Sequence, residues 1–126
     1  MVKGIGTDIV AIKRLAECIA KYGDRFLKKV FTEPEIRQSR NKANPAVHFA
    51  GQWAAKEAFF KALPPACQPV AEWKSVQILT SDDSGRPEIA VCSSLLRDQL
   101  AGEGISSFRI SISHETDYAV AFALLE

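Results

Sequence analysis

The chain has 126 residues, of which 47% are hydrophobic and 25% are charged, and its formal net charge at pH 7 is +1. This size and composition predict a single soluble globular domain over residues 1–126, with a modest core. The near-zero charge argues against nucleic-acid binding, and no stretch approaches the roughly 18 apolar residues that a membrane helix needs.

The three cysteines are odd in number and too scattered for a zinc site or a disulfide framework; they are Cys18, Cys67 and Cys92. The amino terminus also lacks the charged start and apolar run of a secretory signal. We therefore expect a cytoplasmic protein with reduced thiols.

The first predicted element is a strand over residues 2–9, whose side chains alternate between two faces. Ile5 and Ile9 share the face that we expect to enter the core, whereas Gly4, Gly6 and Asp8 share the other. Glycine weakens a strand unless something approaches its backbone closely, so the glycines would leave open space beside the aspartate. A ligand or metal over this face is one interpretation, and a β-bulge with a solvated aspartate is the other.

Two helices are predicted next. Apolar residues recur at helical spacing over about 11–22, and Gly23 ends this helix. A second, short helix begins at Thr32, because Glu35 three residues later completes a capping box.

Basic residues cluster on and just after the first of these helices. The candidates for contact with a partner are Arg14, Lys21, Arg25 and Lys28, a set that we call the basic strip. The strip could receive an acidic protein, although a solvated helix face is an equally good interpretation.

A long helix is predicted over roughly 45–63, with Asn44 as its cap and Pro45 in its first turn. Within it, Glu57 and Lys61 lie one turn apart on the same side. A fixed carboxylate can ligate a cation and a fixed lysine can bind a phosphate, so the pair suggests a site for a metal and a phosphorylated ligand. The alternative is a surface ion pair, which would contribute only about 0.2–0.5 kcal/mol.

The last part of the chain predicts strands over 76–80 and 88–92, a helix near 94–102 and two final strands. The first of the two final strands places Ser113 and His114 at its end, where both could bind phosphate oxygens. In the second, alternate positions from 119 to 123 are alanine, so one sheet face is flat. Such a face allows close packing of another layer, from the same subunit or a neighbour.

Five segments, in this order, resemble the holo-[acyl-carrier-protein] synthases, the small members of the 4′-phosphopantetheinyl transferase superfamily. They are residues 4–10 (GIGTDIV), 23–26 (GDRF) with 32–35 (TEPE), 49–62 (FAGQWAAKEAFFKA), 85–87 (GRP) and 110–114 (ISISH). The resemblance implies an α+β fold in which an antiparallel sheet packs against the long central helix. It also implies a homotrimer whose active sites are shared between subunits.

The resemblance implies a reaction as well: Mg²⁺-dependent transfer of 4′-phosphopantetheine from coenzyme A to a serine of apo acyl carrier protein, releasing adenosine 3′,5′-bisphosphate. Asp8 and Glu57 would be the magnesium ligands, and Lys61 would contact the diphosphate. Glu57 is also the candidate base for the serine proton. The residues around the nucleotide end of coenzyme A would be Gly85, Arg86, Pro87, Ser113 and His114, facing the metal site of a neighbouring subunit. The basic strip would then receive the acidic carrier protein of fatty acid or polyketide synthesis.

Two departures from the family pattern affect the coenzyme pocket. Gln52 stands where family members often carry arginine, and residues 63–69 (LPPACQP) replace a glycine-rich segment. Two other functions stay open on the sequence: a non-catalytic module that binds coenzyme A or an acyl carrier, and a magnesium-dependent hydrolase that uses water in place of the serine.

Overall fold

The computed structural model describes residues 1–126 and shows an α+β fold with antiparallel sheets around a long helix, as predicted. In chain order the elements are β1 (Gly4–Ala11), α1 (Ile12–Tyr22), α2 (Asp24–Val30), α3 (Glu33–Arg40), α4 (Pro45–Ala62), β2 (Val76–Thr80), β3 (Pro87–Val91), α5 (Ser94–Gly102), β4 (Phe108–His114) and β5 (Tyr118–Leu125). Short 3₁₀ helices cover Pro65–Val70 and Trp73–Ser75. None of the helices combines the length and the apolar character needed to span a bilayer.

The strands form two separate antiparallel sheets. One has the order β1-β5-β4, with β5 in the centre, and the other is the hairpin-like pair β2-β3. Helix α4 lies across the inner face of the three-stranded sheet and borders the two-stranded sheet at its other side. Its predicted start is confirmed: the Asn44 side chain accepts from the backbone N–H of Val47, and Pro45 occupies the first turn.

Small residues bring α4 to backbone distance from the sheet. A Cβ atom added at Gly6 would lie 2.0 Å from the carbonyl oxygen of Ala58, and one added at Gly4 would lie 2.0 Å from that of Ala62. The alanines on the facing surfaces are buried: Ala119, Ala121 and Ala123 of β5, and Ala54, Ala55, Ala58 and Ala62 of α4. The flat alanine face of β5 therefore packs on a helix of the same chain.

The predicted burial of the first strand is wrong in one respect. Ile5 and Ile9 are 65% and 64% exposed, whereas Gly6 and Val10 are buried. The alternation itself is as predicted, but α4 covers the glycine side, because only glycine permits so close a helix. The space over Gly4 and Gly6 is thus filled by the backbone of α4, and no ligand could lie over the glycines.

Helix α2 was not predicted. Gly23 ends α1, as expected, but with a φ of 58° it also redirects the chain into a second helix that begins at Asp24. This φ lies in the left-handed region that glycine tolerates best.

A buried ion pair fixes the side of α4 that faces away from the sheet. The Lys56 ammonium lies 3.0 Å from Oε1 of Glu35, and neither side chain is exposed. Lys56 Nζ also donates to the carbonyl oxygens of Trp73 and Val76, both at 2.7 Å. Glu35 in turn accepts from the backbone N–H groups of Thr32 and Ile78. Burial lowers the pKa of Lys56, and the charge of Glu35 opposes that shift.

We predict that Gly6→Ala destabilises the fold by about 1–3 kcal/mol or more, because the new methyl group would overlap the Ala58 carbonyl. Urea unfolding followed by circular dichroism measures this. The matched control is Gly102→Ala, where a Cβ atom meets nothing within 4 Å and the free energy of unfolding should not fall. Equal stabilities for the two variants would show that the contact between helix and sheet is not a constraint.

Candidate active site

Asp8, which lies far in sequence from Glu57 and Lys61, lines one cavity with them between β1, α1 and α4. This cavity, which we call the carboxylate cavity, has a volume of about 310 Å³. Its other lining residues are Ile9, Val10, Arg14, Leu15, Cys18, Phe26 and Trp53. The structure therefore brings together the acid pair and the lysine that the sequence singled out.

Lys61 pairs with Asp8 across elements. Its Nζ lies 3.0 Å from Oδ1 of Asp8 and 3.2 Å from the carbonyl oxygen of Thr7. The lysine side chain is about half exposed, whereas the aspartate side chain is mostly covered. The helical spacing suggested an ion pair between Lys61 and Glu57, but this pair does not form. The carboxylate of Glu57 therefore has no salt-bridge partner.

The charge of Asp8 acts on the carboxyl group of Glu57. Burial, and then the negative charge of Asp8, raise the pKa of Glu57 above its usual value, while Lys61 opposes this shift. A cation between the two carboxylates would therefore favour the charged form of Glu57. No group of three or more His, Cys, Asp or Glu side chains in the chain is placed so that it could hold a metal ion. Two carboxylates nonetheless fit Mg²⁺, which commonly completes its shell with water and substrate phosphate oxygens.

Most of the other residues that line the carboxylate cavity are apolar. Trp53 stacks between Phe26, at a ring-centroid distance of 5.8 Å, and Trp73, at 4.6 Å. Phe26 and Trp53 line the cavity together with Leu15 and Cys18. A ligand with a charged end and an apolar end would match this division.

One residue of the basic strip, Arg14, lines the same cavity. Arg14 is exposed and lines the cavity directly, while Lys21, Arg25 and Lys28 are exposed on α1 and α2. Arg25 immediately precedes Phe26, another lining residue. A macromolecule held by the strip would thus have one of its groups close to Asp8 and Glu57.

A second cavity, of about 510 Å³, lies between α4 and the ends of β2, β3 and β4. We call it the seam cavity; it is lined by Lys42, Asn44, Val47, His48, Gly51, Gln52, Thr80, Gly85, Pro87, Ile112 and His114. It contains three of the residues predicted for the nucleotide end, namely Gly85, Pro87 and His114. It shares no lining residue with the carboxylate cavity.

The other two predicted nucleotide contacts lie elsewhere. Arg86 lines a cleft between β3 and β4, together with Arg109 and Ser111. Ser113 is paired with Val120 of β5 and faces away from the inner side of the sheet, because successive strand residues point to opposite faces. Within one chain, therefore, Ser113 and His114 lie on opposite faces of the sheet and do not line the same cavity.

Sequence reasoning missed His48, although its position four residues before Gln52 places both on one side of α4. Its Nδ1 lies 2.7 Å from Oγ of Ser39, and its Nε2 lies 3.3 Å from Oγ1 of Thr80. Burial, followed by the charge of Lys42, lowers the pKa of His48 from 6.5 to about 4. The imidazole is consequently neutral at pH 7.

Comparison with known proteins yields consistent matches along the chain. The sequence model of the 4′-phosphopantetheinyl transferase superfamily matches residues 4–123. A holo-[acyl-carrier-protein] synthase of Protochlamydia amoebophila is 44% identical over 124 residues, covering 98% of each chain. One from Chlamydia trachomatis is 38% identical over 123 residues, with the same coverage.

Solved structures agree with the sequence matches. The holo-[acyl-carrier-protein] synthase of Neisseria meningitidis superposes with a TM-score of 0.84 at 32% identity, covering 100% of this chain and 99% of the other. The enzyme of Helicobacter pylori, solved in complex with coenzyme A, gives a TM-score of 0.79 at 27% identity and covers 97% and 99% of the two chains.

Proposed function

Since the chain belongs to the 4′-phosphopantetheinyl transferase superfamily, we propose that it acts, as one domain, as a holo-[acyl-carrier-protein] synthase. The reaction is transfer of 4′-phosphopantetheine from coenzyme A to a serine of apo acyl carrier protein, with release of adenosine 3′,5′-bisphosphate. The observation that carries this proposal is the convergence of Asp8, Glu57 and Lys61 in a cavity that Arg14 of the basic strip also lines. The names of the relatives and the coenzyme A bound in a similar structure support it.

The residues of the carboxylate cavity suit a phosphoryl transfer, which depends on alignment and charge neutralisation more than on covalent catalysis. The carrier serine oxygen attacks the β-phosphorus, and the bond from that phosphorus to the bridging oxygen breaks. The bisphosphate departs with the bonding electron pair, and Glu57 accepts the serine proton directly or through a water. Mg²⁺ held by Asp8 and Glu57 would neutralise the charge of the diphosphate.

Lys61 has a second partner available in this mechanism. Its half-exposed side chain, paired with Asp8 in the free protein, can turn to the diphosphate oxygens when coenzyme A is bound. There it would stabilise the negative charge on the leaving phosphate.

A transfer assay tests the reaction and the site together. We expect the wild-type protein, with coenzyme A and Mg²⁺, to add the mass of one phosphopantetheine to an apo acyl carrier protein in intact mass spectrometry. Asp8→Asn and Glu57→Gln should each lower the rate about 100-fold or more, because each removes a charge that the proposed mechanism uses. Chelation of the metal should have the same effect.

The matched control for these variants is Asp98→Asn, which makes the same chemical change at an exposed position of α5. Its rate should equal that of the wild type. If coenzyme A is hydrolysed without a carrier, the protein is a hydrolase. If coenzyme A binds and no group is transferred to several carriers, it is a binding module.

We propose further that the basic strip binds the acidic carrier protein. Charge reversal of Arg14 and Arg25 to Glu should lower kcat/KM for the carrier about 10-fold or more, with a smaller effect at high salt. Arg37→Glu with Lys74→Glu is the control, since it makes the same change in net charge at exposed positions that line neither cavity. A carrier KM that is equally insensitive to both double variants would argue against docking on the strip.

We also propose a homotrimer with shared sites. The outer face of the three-stranded sheet exposes Ile5, Ile9, Tyr118 and Phe122, and apolar patches of this kind commonly mark interfaces between proteins. An interface there would also allow one coenzyme A to contact the carboxylate cavity of one copy and Gly85, Pro87 and His114 of the next. This would account for the separation of the two residue sets within a single chain.

The trimer has its own test. Native mass spectrometry should give three copies for the wild type and fewer for Phe122→Glu, which should also lose transfer activity while keeping its circular dichroism spectrum. Leu95→Glu is the matched control, because Leu95 is similarly exposed but lies on α5, away from the sheet. A wild-type monomer with full transfer activity would refute a shared site.

A further inference from the structure

Gln52 carries the one buried side-chain nitrogen or oxygen atom in this protein that has no hydrogen-bond partner. The residue is 1% exposed, and its Oε1 is unpaired. Buried polar groups in proteins are nearly always paired, because an unpaired one loses its hydration without compensation. An unpaired carboxamide in the middle of a well-packed helix therefore requires an explanation.

The polar neighbours of Gln52 on the same side of α4 all have hydrogen-bond or ion-pair partners. One turn before it, His48 pairs with Ser39 and Thr80; one turn after it, Lys56 pairs with Glu35. The three polar residues are spaced by four along the helix and so form one row. Only the central member of this row is left without a partner inside the chain.

The missing partner can come from the seam cavity, which Gln52 lines. The mouth of the cavity has the character of an anion site, with Lys42 and with Asn44 at the amino end of the 18-residue helix α4. Deeper in, the polar groups are uncharged at pH 7: the Gln52 carboxamide, the Thr80 hydroxyl and the neutral His48. A ligand with a phosphorylated end and a neutral, hydrogen-bonding end matches this arrangement.

The carboxamide of Gln52 limits which chemical group the neutral end of the ligand can carry. It presents an acceptor and a donor side by side in one plane. Adenine offers the complement, an exocyclic amine beside a ring nitrogen, and glutamine pairs with this edge by two hydrogen bonds in protein–DNA complexes. A cationic side chain such as arginine has no acceptor and could not make this pair.

We propose that Gln52 recognises the adenine base of coenzyme A in the seam cavity, with Oε1 accepting from the exocyclic amine and Nε2 donating to N7 of the ring. This inference rests on the proposed use of coenzyme A. It makes Gln52 a specificity-determining residue of this particular chain.

The test compares two ligands that differ only at the edge of the base that Gln52 would contact. Adenosine 3′,5′-bisphosphate and inosine 3′,5′-bisphosphate are titrated into the wild-type protein by isothermal calorimetry. Inosine replaces the amine donor with a carbonyl acceptor, which would face Oε1. We expect the adenine ligand to bind about 5- to 150-fold more tightly, as one bidentate pair allows.

Variants then assign the preference to Gln52. Gln52→Leu should bring the ratio of the two affinities to within about twofold of unity, because it removes both hydrogen bonds. Gln99→Leu, the same change at an exposed position of α5, should leave the ratio unchanged. Gln52→Met provides a second apolar variant in case leucine does not pack.

Stability supplies a readout that a purely structural glutamine would not give. Without ligand, Gln52→Leu should melt at or above the wild-type temperature, because it removes an unpaired buried polar group. A glutamine that supported the fold would instead give a lower melting temperature on replacement.

Four outcomes of these experiments decide whether Gln52 recognises adenine. A wild-type preference for adenine that Gln52→Leu abolishes supports the inference. Equal binding of the two bisphosphates by the wild type overturns it, and so does a preference that survives in both apolar variants. Failure of the wild type to bind either ligand also overturns it. The transfer assay is independent of all four, so an enzyme that transfers phosphopantetheine without reading the base remains a synthase.

Discussion

The backbone of α4 lies directly on strands β1 and β5, and the carboxylate cavity depends on this contact. Because Gly4 and Gly6 have no side chain, the carbonyl oxygens of Ala58 and Ala62 occupy the places where two Cβ atoms would stand. The helix is thereby close enough for Lys61 to reach Asp8 from the neighbouring element. Larger residues at the glycine positions would move the helix outward, and the lysine and the two carboxylates would no longer share one space.

The short distance between α4 and the sheet does not by itself direct Glu57 toward the cavity. The rotation of the helix about its own axis must be fixed as well. The buried pair of Lys56 and Glu35 holds the opposite side of α4 to α3 and β2, with backbone groups satisfying the remaining hydrogen bonds. A buried ion pair of this kind is tolerated because every charge has several partners. Since Lys56 and Glu57 are adjacent, locking the first to one side of the helix directs the second toward the cavity.

Local signals in the sequence predicted local structure well. The Thr32 capping box forms with both of its hydrogen bonds, and the predicted start and end of the long helix agree with Pro45–Ala62 to within a residue. The seven-residue helix α2 is too short to show a periodic pattern, so Gly23 was interpreted as an end only. The pair of Lys56 and Glu35 was not predicted because its partners are 21 positions apart in sequence, and no local rule connects them.

The error at Ile5 and Ile9 has a different origin. Alternation shows that two faces of a strand differ, but it does not show which face the same chain will cover. The sequence pattern predicted that the apolar face of β1 enters the core. In the structure, α4 packs instead on the glycine face of this strand. A hydrophobic strand face that its own chain leaves uncovered has the composition of an interior, and an assembly of several copies would make it one. In that case strands β1 and β5 would contribute to two cores. Glycine and alanine on one face make the close contact with α4, and isoleucine, tyrosine and phenylalanine on the other face would make the contact between subunits.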